Sequence, residues 1–268
     1  GFRPDQIPKD LSLALGSGTA TPMDMARAYS VWANGGFAIE PYFIQEVRDA
    51  EGNIVLKANP AIACPECEQE QQAPPEEQQL GELQVSPSSD DGPGAEIAEA
   101  LPVHAQRVVD AENVFLMNSM MRDVIKRGTG RKAMVLGRSD LAGKTGTTND
   151  QRDAWFCGYN QSLVTTVWVG FDRVQPLGNG ETGGHAALPM WIDYMRTALD
   201  GVPESLLPQP PGLVTVRIDP KTGLRLPPGQ EGGLFEMFRP ETVPQQYSEP
   251  AQVQQDGASS NDALEQLF

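Results

Sequence analysis

The sequence predicts an α+β domain in which an antiparallel sheet is flanked by helices. Three observations predict it. Capped helical patterns occupy residues 21–36 and 110–130, strand patterns follow one another from Leu141 to Phe171, and a third helical pattern begins at Pro189. Only Asn160-Gln-Ser162 joins the last two strands of the run, which is too short for a parallel crossover.

Taken in order, the first helix has Thr21 as its N-cap, with Pro22 at the first helical position and Asp24 at the third. Met25, Ala28, Tyr29 and Trp32 form its apolar stripe, and Gly35-Gly36 end it. A hairpin is expected from Phe43–Asp49 and Ile54–Lys57, turning at Ala50-Glu-Gly-Asn53. Asp110 caps a second helix, Ala111 to about Lys126, with Val114, Met117, Met121, Val124 and Ile125 inward, and Gly128-Thr-Gly130 breaks it. The strands are Leu141–Thr147, Ala154–Tyr159 and Leu163–Phe171. The third helix runs from Pro189 to about Leu199, with Met190, Ile192, Tyr194, Met195 and Leu199 as its apolar residues. Prolines 203, 208, 210 and 211 mark a linker, and Leu213–Ile218 with Leu224–Leu226 form a small hairpin.

These elements divide the chain into a domain over 1–202, a linker and hairpin over 203–239, and a polar tail over 240–268. Within the domain, residues 60–102 are Pro-, Gln- and Glu-rich and are expected to be a disordered insertion. Residues 60–100 hold ten Asp/Glu and no Lys or Arg, and 240–268 hold five and none. The two stretches carry all but one unit of the net charge of −16, so acidity describes solvated segments and not a cationic substrate. No basic patch exists to neutralise phosphates, so nucleic acid is excluded as a partner. No apolar run reaches the ~20 residues needed to span a bilayer, and no signal peptide opens the chain, so any anchor is expected upstream.

Cys64-Pro-Glu-Cys67 has the spacing of a redox motif but lacks the strand and helix that such a motif needs, and a local disulfide or idle thiols are expected. Cys157 falls in a strand pattern and is expected to be a buried small hydrophobe. His104 and His185 are the only histidines, with no ligand spacing, so neither a metal nor another cofactor is expected.

Lys-Thr-Gly occurs twice. Lys221-Thr-Gly223 follows Asp219-Pro220 between two short strand patterns, and Asp-Pro-x-x-Gly is turn chemistry. Lys144-Thr145-Gly146-Thr147 lies instead inside a strand pattern, between Gly143 and Thr148. Glycine inside a strand marks close approach of a ligand or of another backbone. One ammonium and the hydroxyls of Thr145, Thr147 and Thr148 suit an anionic ligand lying along a strand edge. A rival reading takes Gly137 to Thr145 as a phosphate-binding P-loop preceded by a strand at Ala133–Leu136. It has five intervening residues in place of four, and no helix start follows.

Lys-Thr-Gly on a strand is one of three signatures of penicillin-recognising serine acyl-enzymes, beside Ser-x-x-Lys and Ser-x-Asn. Together "TPMDMARAYSVWANGG", "VIKRGTGRKA", "LAGKTGTTNDQRDAWFCGYN" and "VWVGFD" resemble the second half of the transpeptidase domain of class A penicillin-binding proteins, the bifunctional peptidoglycan synthases. The resemblance covers about Ile7 to Leu199 without the acidic insertion. It implies the β-lactamase/DD-transpeptidase-like fold, of which this chain is the C-terminal half. It further implies cross-linking of peptidoglycan by acyl transfer from a D-Ala-D-Ala stem peptide through a serine acyl-enzyme, with stem peptides and β-lactams as partners and no cofactor. Lys144 is implied to supply positive charge to the substrate carboxylate and to the proton relay near the serine. Thr145 and Thr147 are implied to hydrogen-bond that carboxylate, the Thr147 amide to serve as an oxyanion donor, and Gly146 to let the substrate lie close. An upstream glycosyltransferase domain and a membrane anchor, at the periplasmic face of the bacterial inner membrane, follow by resemblance alone.

The chain departs from the family pattern in two of its three signatures. It contains no Ser-x-x-Lys, the nearest match being Ser119-Met-Met-Arg122, and its only Ser-x-Asn, Ser259-Ser-Asn261, lies after Lys144 and not before it. The nucleophile, its lysine and the middle motif are therefore expected upstream, in the N-terminal half of the domain, which becomes a required partner. Taken alone, the chain is expected neither to be acylated by penicillin nor to fold independently. A β-lactam-sensing or non-catalytic binding module on the same fold is the alternative function.

Overall fold

The structure, a computed structural model, describes Phe2, residues 7–67 and residues 102–249. Most of the expected insertion and the tail beyond Glu249 therefore lie outside the described residues. The described chain divides into one unit ending at Pro210 and a second beginning at Pro211, where the sequence placed the start of the linker at residue 203.

Local capping chemistry sets the first helix, α1 (Pro22–Ala33). Thr21 Oγ1 accepts the Asp24 N–H at 3.1 Å while Asp24 Oδ2 accepts the Thr21 N–H at 3.0 Å, a reciprocal capping box that satisfies two otherwise orphaned donors. Two exposed strands follow, β1 (Glu46–Arg48) and β2 (Ile54–Lys57), paired antiparallel. Helix α2 (Ala111–Lys126) starts where Asp110 Oδ1 accepts the Asn113 N–H at 2.8 Å. The central sheet is β3 (Ala142–Thr147), β4 (Ala154–Tyr159) and β5 (Val164–Val169), antiparallel in the order β3-β4-β5. Helix α3 (Leu188–Ala198) closes the unit, entered through a π turn at Gly183–Ala187.

Strand alternation gives the sheet two dressed faces. Phe156 faces α3, where its ring meets Trp191 edge-on at 4.9 Å, and Ile125, Leu141, Leu188, Ile192, Met195 and Leu199 complete that cluster. Tyr159 faces the other way onto Ala33, Met121 and Ala142, with Tyr29 edge-on at 6.1 Å. Asn118 of α2 ties this side together. It accepts the Tyr159 hydroxyl at 2.9 Å and donates to Trp32 O at 2.9 Å and Val114 O at 3.0 Å, so both helices register against β4.

Four sequence readings, one of them the rival P-loop, need correction. On α3 the buried stripe is Leu188, Trp191, Ile192 and Met195, whereas Met190 and Tyr194 are more than half exposed. Apolar side chains extend beyond the inward face of this helix, and the i, i+3, i+4 spacing from Leu188 picks that face out. Ala133–Leu136 is no strand but part of a 3-10 segment, Arg131–Leu136, and Lys144-Thr145 lies inside β3 with no helix after it. Both features remove the P-loop geometry. In the second unit, β6 (Val214–Ile218) pairs with β7 (Leu234–Phe238) and not with Leu224–Leu226, of which Arg225 makes only single bridges to Ile218 and Tyr247. Leu224–Leu226 is followed at once by Pro227-Pro228, which cannot donate to a ladder, so pairing passes to the next β-rich run. Residues 240–249, placed by sequence in the polar tail, carry a short 3-10 turn and the Tyr247 bridge, and Ser248 is buried.

Candidate active site

The second Lys-Thr-Gly is a turn, as its residues dictate. Asp219 Oδ1 accepts the Lys221 N–H at 3.0 Å, Asp219 O accepts the Gly223 N–H at 2.8 Å, and Gly223 has φ +72°.

Lys144-Thr145-Gly146-Thr147 occupies the end of β3, an edge strand with no partner on its outer side among the described residues. Register against β4 assigns the faces. Lys144 and Gly146 oppose Cys157 and Trp155, while Thr145 and Thr147 oppose Phe156 and Ala154. The single polar cluster expected from sequence is thus split by the pleat between two faces of one edge. Lys144 is exposed and its Nζ reaches only the Thr145 carbonyl, at 2.9 Å, with no ion pair among the described residues. An ammonium without a counter-carboxylate at an open strand edge is available to an anion.

Both threonine hydroxyls are held by segments that nothing in the sequence places at the site. Thr145 Oγ1 lies 2.7 Å from the hydroxyl of Thr129, in the glycine-flanked turn after α2. Thr147 Oγ1 accepts the Gly183 N–H at 3.0 Å. Each hydroxyl retains capacity for a further bond. Lys132 adds a second ammonium on this side, donating to Gly184 O at 3.2 Å. The signal for Thr129 was present, since "VIKRGTGRKA" carries part of the family resemblance, but nothing in the linear chain places it against β3. Gly183 had no signal at all.

Glycine at 183 and 146 has a shared cause. A Cβ on Gly183 would sit 2.3 Å from Trp155 O and 2.5 Å from Gly146 O, so the π turn is seated directly on the backbones of β3 and β4. A Cβ on Gly146 would meet the Trp155 Cβ at 3.1 Å. The close approach that glycine in β3 announces is therefore first an approach of protein backbone.

The β3–β4 connection is equally determined. Asp150 and Gln151 both adopt left-handed φ, +59° and +53°. Gln151 O accepts the Leu177 N–H at 2.9 Å and its side chain accepts the Glu181 N–H at 3.1 Å, so this turn anchors the loop leading to Gly183. Asp153 accepts the Trp168 indole N–H at 2.8 Å, and Trp168 stands against Trp155, ring centroids 6.1 Å apart. Behind the site, burial pushes the Cys157 thiol up to about 11 and lifts the phenol of Tyr159 well above its ordinary range, which leaves both neutral and structural.

Known proteins resemble this chain in sequence and in fold. Residues 4–191 match the family described as penicillin binding protein transpeptidase domain. The chain is 45% identical over 258 residues to Penicillin-binding protein 1A of Pseudomonas aeruginosa, covering 93% of this chain and 31% of that protein. It is 39% identical over 214 residues to Penicillin-binding protein 1A of Neisseria lactamica, covering 80% of this chain and 22% of that protein. The crystal structure of Penicillin-Binding Protein 1A from Haemophilus influenzae superposes with a TM-score of 0.75 at 38% identity, over 92% of this chain and 36% of that one. The chain thus spans a third or less of the curated relatives it matches. Its antiparallel sheet with flanking helices is the β-lactamase/transpeptidase type, and the chain belongs to the penicillin-binding protein transpeptidase domain family.

Proposed function

We propose that this chain forms the Lys-Thr-Gly wall of the active site of a peptidoglycan DD-transpeptidase, within a larger synthase acting at the periplasmic face of the bacterial inner membrane. The observation that carries the reading is an exposed Lys144, without an ion pair among the described residues, on a strand that is an edge among them, beside Thr145 and Thr147 whose hydroxyls are fixed from behind by Thr129 and Gly183.

A donor stem peptide ending in D-Ala-D-Ala lies along the outer edge of β3 as an added strand. Its terminal carboxylate meets the positive field of Lys144 and the hydroxyls of Thr145 and Thr147. A serine contributed from outside this sequence attacks the penultimate carbonyl carbon. The Thr147 amide and the amide of that serine stabilise the oxyanion. The C–N bond to the terminal D-Ala breaks, that residue leaves as the amine carrying the proton, and an acyl-enzyme remains. An amine of a neighbouring stem peptide then attacks the ester and frees the serine. β-Lactams enter the same path, with ring opening in place of release, so the acyl-enzyme persists.

Labelling of the protein that carries this chain by a fluorescent penicillin tests the reading. Lys144→Ala is expected to lower the acylation rate by about 10²–10³-fold, the scale for removing one preorganised electrostatic contact. Lys221→Ala, in the turn, is expected to leave it unchanged. Equal labelling of Lys144→Ala and the parent would sink the proposal.

A further inference from the structure

Cys64 and Cys67 are joined in a disulfide, one of the two outcomes the sequence left open, but the fold adds a third group that the sequence keeps 37 residues away. His104 Nε2 lies 3.6 Å from Cys67 Sγ. Backbone pairing puts it there. Ile62 bridges His104 in parallel fashion, with the Ile62 N–H donating to Val103 O at 2.8 Å and the Ala105 N–H donating to Ile62 O at 2.9 Å. The Cys67 N–H in turn points at Cys64 Sγ, at 3.2 Å. The two sulfurs and the imidazole nitrogen all fall within 4.8 Å of one another. Histidine is exposed and the cysteines are half-buried, so the trio is open to solvent.

We propose that Cys64, Cys67 and His104 form a binding site for a thiophilic divalent cation of the zinc class, which the disulfide closes and thiol reduction opens. Distances decide for a metal over an incidental neighbour. Tetrahedral zinc with Zn–S of 2.3 Å and Zn–N of about 2.0–2.1 Å requires an S···N edge of about 3.5–3.6 Å and an S···S edge of about 3.8 Å. The first edge is already in place. The second needs only that the sulfurs part, and a Cα–Cα separation of 5.3 Å permits this by side-chain rotation. An N–H directed at one sulfur is the kind of outer contact that orients a thiolate ligand. Two thiolates and one neutral imidazole leave a fourth position for water. Glu66, exposed between the two cysteines, adds a favourable field for a cation.

The chemistry balances with a dithiol as reductant. Two electrons and two protons pass from the dithiol to the S–S bond, giving two thiols and the oxidised, cyclic form of the reductant. Zinc then displaces both thiol protons, and the imidazole binds through Nε2. The ion would tie the chain before the acidic stretch to the chain after it, beside the Ile62–His104 bridge.

Zinc titration of the protein that carries this chain, reduced with dithiothreitol and freed of it anaerobically, tests the site. One zinc per chain is expected, and cobalt(II) in its place is expected to give thiolate-to-cobalt charge-transfer absorption. His104→Ala is expected to weaken zinc binding by about tenfold or more. The oxidised protein and Cys64→Ser/Cys67→Ser are expected to hold none, with circular dichroism checking that each variant is folded. The oxidised parent needs no mutation, so it separates loss of the site from loss of the fold. Failure of the reduced protein to hold more zinc than the oxidised one, or undiminished binding in His104→Ala, would overturn the proposal.

Discussion

Replacing Gly183 by alanine is the sharpest probe of how the site is built. The new Cβ would stand 2.3 Å from Trp155 O, against 3.4 Å for an ordinary contact, a shortfall of about 1.1 Å. Gly146 O, at 2.5 Å, blocks the alternative direction, and both obstacles are backbone atoms of strands that cannot swing aside as side chains do. The π turn must therefore lift from the sheet by about 1 Å. That displacement stretches the 3.0 Å bond from the Gly183 N–H to Thr147 Oγ1 beyond hydrogen-bonding range and frees the end of β3 to drift. Misplacement of about 1 Å costs ~10²-fold in a reaction that depends on preorganised geometry, or about 2.7 kcal/mol of transition-state stabilisation. Overpacking of this kind also costs about 1–3 kcal/mol of stability. The assay is the second-order rate of penicillin acylation of the protein carrying this chain, with thermal unfolding measured in parallel. Gly184→Ala is the comparison, because its Cβ would meet Thr129 O at 3.3 Å and needs a shift of only a tenth or so. Expected is a drop of about 10²-fold for Gly183→Ala and a change of no more than about threefold for Gly184→Ala. A folded Gly183→Ala protein that acylates as fast as the parent would refute the view that the π turn positions Thr147.

Two further predictions concern the frame. Asp140, buried and forked by Arg138 at 2.9 and 2.7 Å, also accepts Asn160 Nδ2 and the Ser205 N–H, so Asp140→Ala should cost about 3–5 kcal/mol in denaturant unfolding by stranding the Arg138 charge. Burial opposes ionisation of this carboxyl, but the bonds from Arg138, Asn160 and Ser205 prevail and hold it below its ordinary 3.8; its contribution is therefore complete above that pH and is lost on acidification through the lowered value, a loss that Asp140→Asn should abolish. Cys157, with its thiol pushed up to about 11 by burial, should resist maleimide at pH 8 in the folded protein and react on unfolding; rapid native labelling would contradict its buried placement.

The fold was legible where local chemistry acts alone. Thr21 with Asp24, and Asp110 with Asn113, determine helix starts within four residues of chain, and α1 and α2 begin where those caps place them. Ala154–Tyr159 could be bounded because Asn160 turns the chain back on itself, its Oδ1 accepting the Ser162 and Leu163 N–H groups at 3.0 and 2.9 Å. Legibility failed where the choice was made by tertiary contact. Trp191 escaped because α3 also carries large apolar side chains, Met190 and Tyr194, outside its inward face, and the Phe156 ring and the bare Gly158 opposite it select that face; a Cβ on Gly158 would lie 2.7 Å from the indole. The partner of β6 was missed because two β-rich runs follow it, and the prolines that disqualify the nearer one act only when a ladder is to be built.

The candidate site divides along the same line. Lys144 through Thr147 could be singled out because a glycine pair inside a strand is costly and needs a reason. What could not be read was the reason itself. Sequence suggested a ligand backbone against Gly146, whereas the structure seats Gly183 on that strand and lets its N–H orient Thr147. The two views are compatible once the pleat is considered. Gly146 shares its face with Lys144, so lack of a side chain keeps open the edge beside the ammonium, and lack of one at Gly183 lets the opposite face be clamped from behind. An edge strand offered to a peptide must be stiff on one side and vacant on the other, since a strand free on both sides would lose ordering entropy with every substrate it bound. The pair Gly146 and Gly183 supplies both conditions, so under the proposed function a single carbon added at position 183, against the backbone of Gly146, is expected to bear on the same chemistry as loss of Lys144.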